Sequence, residues 1–141
     1  MSYKYLDHGA DIGIEARGRT LPELFVEGAK GLFSLMVKLD SIEARKSENI
    51  ALEASDYTEL YYEWLAELLS VASLNQLVLS EFSVEYLSRE ADSVVLKGSG
   101  SGEKLEPGKH EIRGEVKAIT YQGLKLVQKG ELWVGRCVVD V

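Results

Sequence analysis

Cysteine is nearly absent from this chain. Cys137 stands alone among 141 residues, so no intrachain disulfide can form. Histidine is scarce as well, with only His8 and His110. Paired Cys/His ligands at short spacing are missing, which argues against zinc. No Ser-His-Asp or Cys-His arrangement supplies a nucleophile with its base, and no nucleophile elbow is present. Apolar runs are a few residues long, against the roughly 20 that a bilayer span requires. The opening MSYKYLDHG lacks a basic stretch leading into an apolar one, so no secretion signal is expected and a cytoplasmic location is. Positive charge is also in deficit, the net charge being −7. Residues 1–92 carry 8 basic and 17 acidic side chains, whereas residues 93–141 carry 8 and 6. Such a surface repels phosphate backbones, so strong unaided nucleic-acid binding is not expected. The slightly basic last third could face an acidic partner.

What is present suits one soluble α+β domain over residues 1–141. Ile12–Ala16 alternates as a strand. Thr20-Leu-Pro-Glu23 and Asp56-Tyr-Thr-Glu59 read as capping boxes opening two helices. The first helix carries an apolar stripe from Leu21 to Met36 and should fade near Leu39-Asp40. The second has Leu60, Tyr61, Trp64, Leu65, Leu68, Leu69 and Ala72 at helical spacing, with Glu59, Glu63 and Glu67 on another face. Ile50–Ala54 lies between them as a strand, and strand patterns dominate from Val78 onward. Gly98-Ser-Gly-Ser-Gly102 reads as a break in the chain, since no helix and no Gly-Lys-Ser/Thr follows to make it a phosphate loop. Glu115–Tyr121, Leu124–Gln128 and Leu132–Val141 are three further strands, with a hairpin turn at Lys129-Gly130. The expected architecture is two helices packed on a mostly antiparallel or mixed β-sheet.

Two segments concentrate acidic chemistry. Asp7-His8-Gly-Ala-Asp11 places three ionisable groups just before an apolar strand, and Val138-Val-Asp140-Val141 closes an apolar strand on a carboxylate. If these strands are neighbours, Asp11, Asp140 and the Val141 carboxylate could share one ion, and hard oxygen donors suit Mg²⁺ or Ca²⁺. The alternative is a polar turn and a solvated end. Lys117, on a strand otherwise fit for burial, could neutralise those carboxylates or sit at an edge.

Three segments together resemble the archease family. Asp7-His-Gly-Ala-Asp-Ile-Gly-Ile14 is similar to its Asp-His-Thr-Ala-Asp-Ile-Gly signature. Glu115-Val-Lys-Ala-Ile-Thr-Tyr121 is similar to its Glu-Val/Ile-Lys-Ala-Val/Ile-Thr-Tyr strand, and Val138-Val-Asp-Val141 to its aspartate-ending last strand. The helix bearing Trp64-Leu-Ala-Glu-Leu-Leu69 lies between them, and the likeness spans nearly the whole chain. It implies a non-enzymatic accessory protein that promotes guanylylation and turnover of the GTP-dependent tRNA-splicing RNA ligase. It also implies a divalent ion, Ca²⁺ first and Mg²⁺ or Mn²⁺ otherwise, on Asp11, Asp140 and Val141. Asp7, His8 and Lys117 are the functional neighbours it suggests. A general chaperone, or a modulator of proteins such as tRNA methyltransferase, is the alternative within that resemblance. A stand-alone metal-dependent hydrolase is the alternative outside it, and needs more convergent polar groups than the sequence offers. Gly9 stands where the signature has threonine, and Gln122 where the family has histidine.

Overall fold

Thr20 and Asp56 start the helices as their side chains allow. In the computed structural model, which describes residues 2–141, the Thr20 hydroxyl accepts from the Glu23 amide at 3.2 Å and Asp56 Oδ1 from the Glu59 amide at 2.8 Å. The side chain of His8 lies outside the described residues. Helix α1 runs Leu21–Ser34 and helix α2 runs Tyr57–Asn75. The first ends sooner than its apolar spacing suggests. Its next carbonyls are claimed from outside, since Met36 O accepts from the Arg113 amide at 2.7 Å and Val37 bridges to Ile112. A 3-10 turn follows at Leu39–Ser41.

Seven strands surround these helices among the described residues: β1 Ser2–His8, β2 Asp11–Gly18, β3 Lys46–Ala54, β4 Leu77–Glu90, β5 Ser93–Lys104, β6 Ala118–Lys129 and β7 Leu132–Asp140. They form two antiparallel sheets, ordered β1-β2-β7-β6 and β3-β5-β4, where the sequence suggested one. The helices lie between them. Helix α1 touches β1, β2 and β7 on one side and β4 on the other, and α2 touches β3, β4 and β5 as well as β6. The core is therefore continuous, running from Ile14 and Val139 through Phe25, Leu32 and Trp64 to Leu79 and Leu96.

Buried polar atoms in this core are mostly satisfied. Trp64 Nε1 donates to Phe25 O at 2.9 Å. The hydroxyl of Tyr61 is the exception, fully buried with no partner among the described residues and pressed against Gly28, while its ring lies over Gly135. An orphaned buried hydroxyl costs roughly 1–3 kcal/mol. Tyr61→Phe is accordingly expected to raise the melting temperature by a few degrees, as read by circular dichroism.

Two expectations are corrected here. Gly98–Gly102 is not a break but the middle of β5, the central strand of its sheet. Gly98, Gly100 and Gly102 share one buried face. A β-carbon at Gly98 would strike Ser83 O, one at Gly100 would press on Leu68 and Leu79, and one at Gly102 would strike Val78 O. The glycines let β4 and α2 approach, which is their use in a strand interior. Residues 115–117 also stand outside any ladder. The two strands expected across Glu115–Gln128 are one, β6, whose register jumps between Thr120 and Lys125, with Gly123 at φ 67°.

A polar clamp holds the loop after β5. The buried Glu103 carboxylate accepts from the Glu43 amide at 2.7 Å and from Lys109 Nζ at 2.8 Å, and lies 3.0 Å from His110 Nε2. The Glu106 amide donates to His110 Nδ1, so the neutral ring carries its proton on Nε2 and donates to Glu103. These bonds, the Glu43 amide first, hold the Glu103 carboxyl at about 2. A lowered carboxyl stabilises the fold above its unfolded value and loses that contribution as pH falls through the folded one. Acid unfolding of Glu103→Gln should therefore show a shallower loss of stability than wild type between pH 4.5 and about 2.

Candidate functional site

Strands β2 and β7 are partners, and their register brings the two acidic segments together. The last pair is Ile12 with Val139, and one position further stand Asp11 and Asp140. Ile12 and Val139 face the core, so by strand alternation Asp11 and Asp140 fall on the outward face. Both are half-buried. Neither carboxylate makes a hydrogen bond or ion pair with another described side chain.

The β1–β2 turn fixes the near side. His8 pairs with Asp11, leaving a two-residue loop of Gly9 and Ala10 with Gly9 at φ 69°. Positive φ at the first loop position and not the second is the type II′ hairpin, whose natural residue there is glycine. The departure from the family's threonine thus coincides with a backbone that favours glycine, and a β-carbon there would meet nothing within 4 Å. Asp7 pairs with Ile12 and belongs to the opposite face, at its exposed margin.

Across the sheet, Ala118 of β6 pairs with Asp140, and the Lys117 amide donates to Asp140 O at 2.8 Å. The main chain of Lys117 is thereby next to the carboxylates. Its exposed side chain lines a groove of about 580 Å³ against α2, with Tyr62, Ala66 and Leu69. Among the described residues no ion pair joins it to Asp11 or Asp140. Val141 follows as a half-exposed residue beyond the strand, 38% accessible. Gln122 sits on the β6 irregularity and is exposed.

Two aspartate carboxylates at the ends of neighbouring strands offer hard, anionic oxygen donors. That chemistry fits Ca²⁺ or Mg²⁺, which favour carboxylate and carbonyl oxygen, and not a thiolate-seeking metal. Among the described residues no group of three His, Cys, Asp or Glu side chains converges for metal binding, so any ion here also needs main-chain oxygen or water. Cys137 is three residues from Asp140 in sequence but faces the core, 1% exposed, and burial pushes its thiol up to about 12. A buried thiol held in its protonated form is a poor ligand and a poor nucleophile.

Sequence reasoning overlooked Glu15. On the same outward face as Asp11, it is 1% exposed and contacts Lys4, Arg17 and Arg136. The signal was available in the alternation Glu15, Arg17 on β2, but only the pairing with Arg136, 121 residues away, gives it meaning.

The sequence profile of the Archease protein family (MTH1598/TM1083) matches residues 3–141. Protein archease of Sulfolobus acidocaldarius is 37% identical over 139 residues, covering 99% of this chain and 98% of that one. Protein archease of Pyrococcus furiosus is 36% identical over 140 residues, with 99% and 98% covered. The solution structure of Methanobacterium thermoautotrophicum protein 1598 superposes with a TM-score of 0.89 at 30% identity, covering 99% and 98% of the two chains. An archease crystal structure from Thermotoga maritima, described as a possible chaperone, gives 0.59 at 19% identity over 98% and 96%, a likeness of fold alone.

Proposed function

The chain belongs to the archease family, and from that premise we propose that it is a metal-binding accessory protein of the GTP-dependent tRNA-splicing RNA ligase, promoting guanylylation of the ligase and its repeated turnover. The observation that carries this reading is the meeting of Asp11 and Asp140 on neighbouring strands. Two half-buried carboxylates side by side repel each other, and a cation offsets that cost.

In this reading Asp11 and Asp140 hold the ion with an oxygen of Val141, and Ca²⁺ is the first candidate. A bound ion of this kind keeps coordination positions for water or for an oxygen from a partner. The protein's own residues set the stage: the β1–β2 turn positions Asp11, and the Lys117 amide holds the Asp140 main chain. Assistance suits this geometry better than independent catalysis. Activating a water there would take further convergent polar groups beside the two carboxylates.

The deciding experiment is single-turnover guanylylation of the cognate ligase with labelled GTP, with and without stoichiometric protein. Faster label transfer supports the proposal. An unchanged rate at saturating protein rules it out for that pair.

A further inference from the structure

We infer that the outward face of the four-stranded sheet is a docking surface for an acidic segment of a protein partner. The register builds this surface. Lys4 on β1 is opposite Glu15 on β2, Glu15 is opposite Arg136 on β7, and Arg136 is opposite Lys125 on β6. Directly paired residues share a face, so these four side chains make one row across all four strands. At the usual strand spacing the row is about 14 Å long. Arg17, two residues from Glu15, joins the same face.

Glu15 organises the cations. Its carboxylate accepts from Arg136 Nε at 2.7 Å and from Arg17 Nη2 at 3.2 Å, with Lys4 Nζ at 3.4 Å. Burial opposes its ionisation, yet the bonds from Arg136 and Lys4 outweigh burial and hold the carboxyl below its usual range. One carboxylate cannot neutralise four cations. The cluster keeps a surplus of positive charge in a chain whose net charge is −7. Each arginine spends one nitrogen on Glu15, and the other guanidinium N–H groups have no partner among the described residues. The cations remain accessible, Arg17 and Arg136 at 44% and 45% and Lys4 at 60% of their side chains. Guanidinium planes fixed from beneath, with free donors above, are prepared for carboxylate or phosphate oxygen.

Two observations favour carboxylates on a protein over a nucleic-acid strand. The paired rows on this face, Ser2-Arg17-Val134-Val127 and Leu6-Gly13-Val138-Thr120, offer no aromatic ring on which a base could stack. The overall negative charge also repels a long polyphosphate, whereas a short acidic segment meets mainly the local patch. The Asp11–Asp140 pair lies on the same face two paired rows away, beyond Leu6-Gly13-Val138-Thr120, and the inference does not depend on metal binding or on the ligase.

The test uses fluorescence anisotropy at low salt with a labelled oligoglutamate peptide and a labelled oligoribonucleotide of equal charge. Lys125 makes no contact with Glu15, so Lys125→Glu leaves the buried carboxylate's partners in place, and thermal unfolding verifies the fold. The full chain is expected to bind the peptide, Lys125→Glu to bind it about tenfold more weakly, and Lys97→Glu on the other sheet to match wild type. Absent peptide binding, or equal losses in the two variants, overturns the inference. So does tighter binding of the ribonucleotide with the same Lys125 dependence, which would assign the face to nucleic acid.

Discussion

Alanine at Asp11 or at Asp140 is expected to abolish stimulation of ligase guanylylation and to lower divalent-ion affinity by about 100-fold or more. Loss of groups that merely orient a ligand costs 10–100-fold, and loss of a ligand itself should reach at least the upper end. Calorimetric titration with Ca²⁺ reads the affinity, and the label-transfer assay reads the stimulation. Neither side chain is bonded to another described side chain, so the variants should fold. In chelator they should be as stable as wild type or more so, because removing one of two adjacent like charges relieves their repulsion. With excess Ca²⁺ the order reverses, since only wild type gains stability from the ion. Wild-type Ca²⁺ affinity in both variants would remove the ion from the mechanism. Intact stimulation with lost Ca²⁺ binding would leave the accessory role but detach it from metal.

A second large effect concerns the glycine face of β5. Gly102→Ala should destabilise the fold by roughly 3 kcal/mol, lowering the melting temperature by about 10 °C. The added methyl meets the Val78 carbonyl and the main chain at Leu79, which cannot rotate aside as a flexible side chain would. Gly108→Ala is the control. A β-carbon there has nothing within 4 Å, and its melting temperature should match wild type. Equal melting temperatures for the two variants would mean that β4 is free to give way.

The contrast between these positions shows what was readable in the sequence. Local chemistry was legible: Thr20 and Asp56 cap as expected, and the buried stripe of α2 includes Leu60, Tyr61, Trp64, Leu65, Leu68 and Ala72. The Gly-Ser run was misread because flexible turns and crowded central strands both favour glycine, and only the approach of Val78 and Ser83 separates them. β1 escaped notice because its alternation of Tyr3 and Tyr5 with Lys4 and Leu6 has polar and apolar groups on both faces. At the site, Asp11 and Asp140 were recognisable from the ends of their segments. Their meeting required the β2–β7 pairing, which no local pattern encodes. The side-chain direction of Lys117 was equally hidden, since residues 115–117 lie outside any ladder and strand alternation does not govern them.

The order β1-β2-β7-β6 also sets a timetable for the chain. A ribosome delivers β2 long before β7, so the central pair of this sheet closes only after more than a hundred intervening residues have been made. Pairings so distant in sequence are slow, because loop entropy is lost before the contact repays it. Until then the β1–β2 hairpin shows an open edge, able to pair with another nascent chain. Asp11 acquires its neighbour only at that last closure. An ion bound between them would favour the closed sheet over every earlier intermediate, so refolding in the presence of Ca²⁺ should trap fewer misassembled chains.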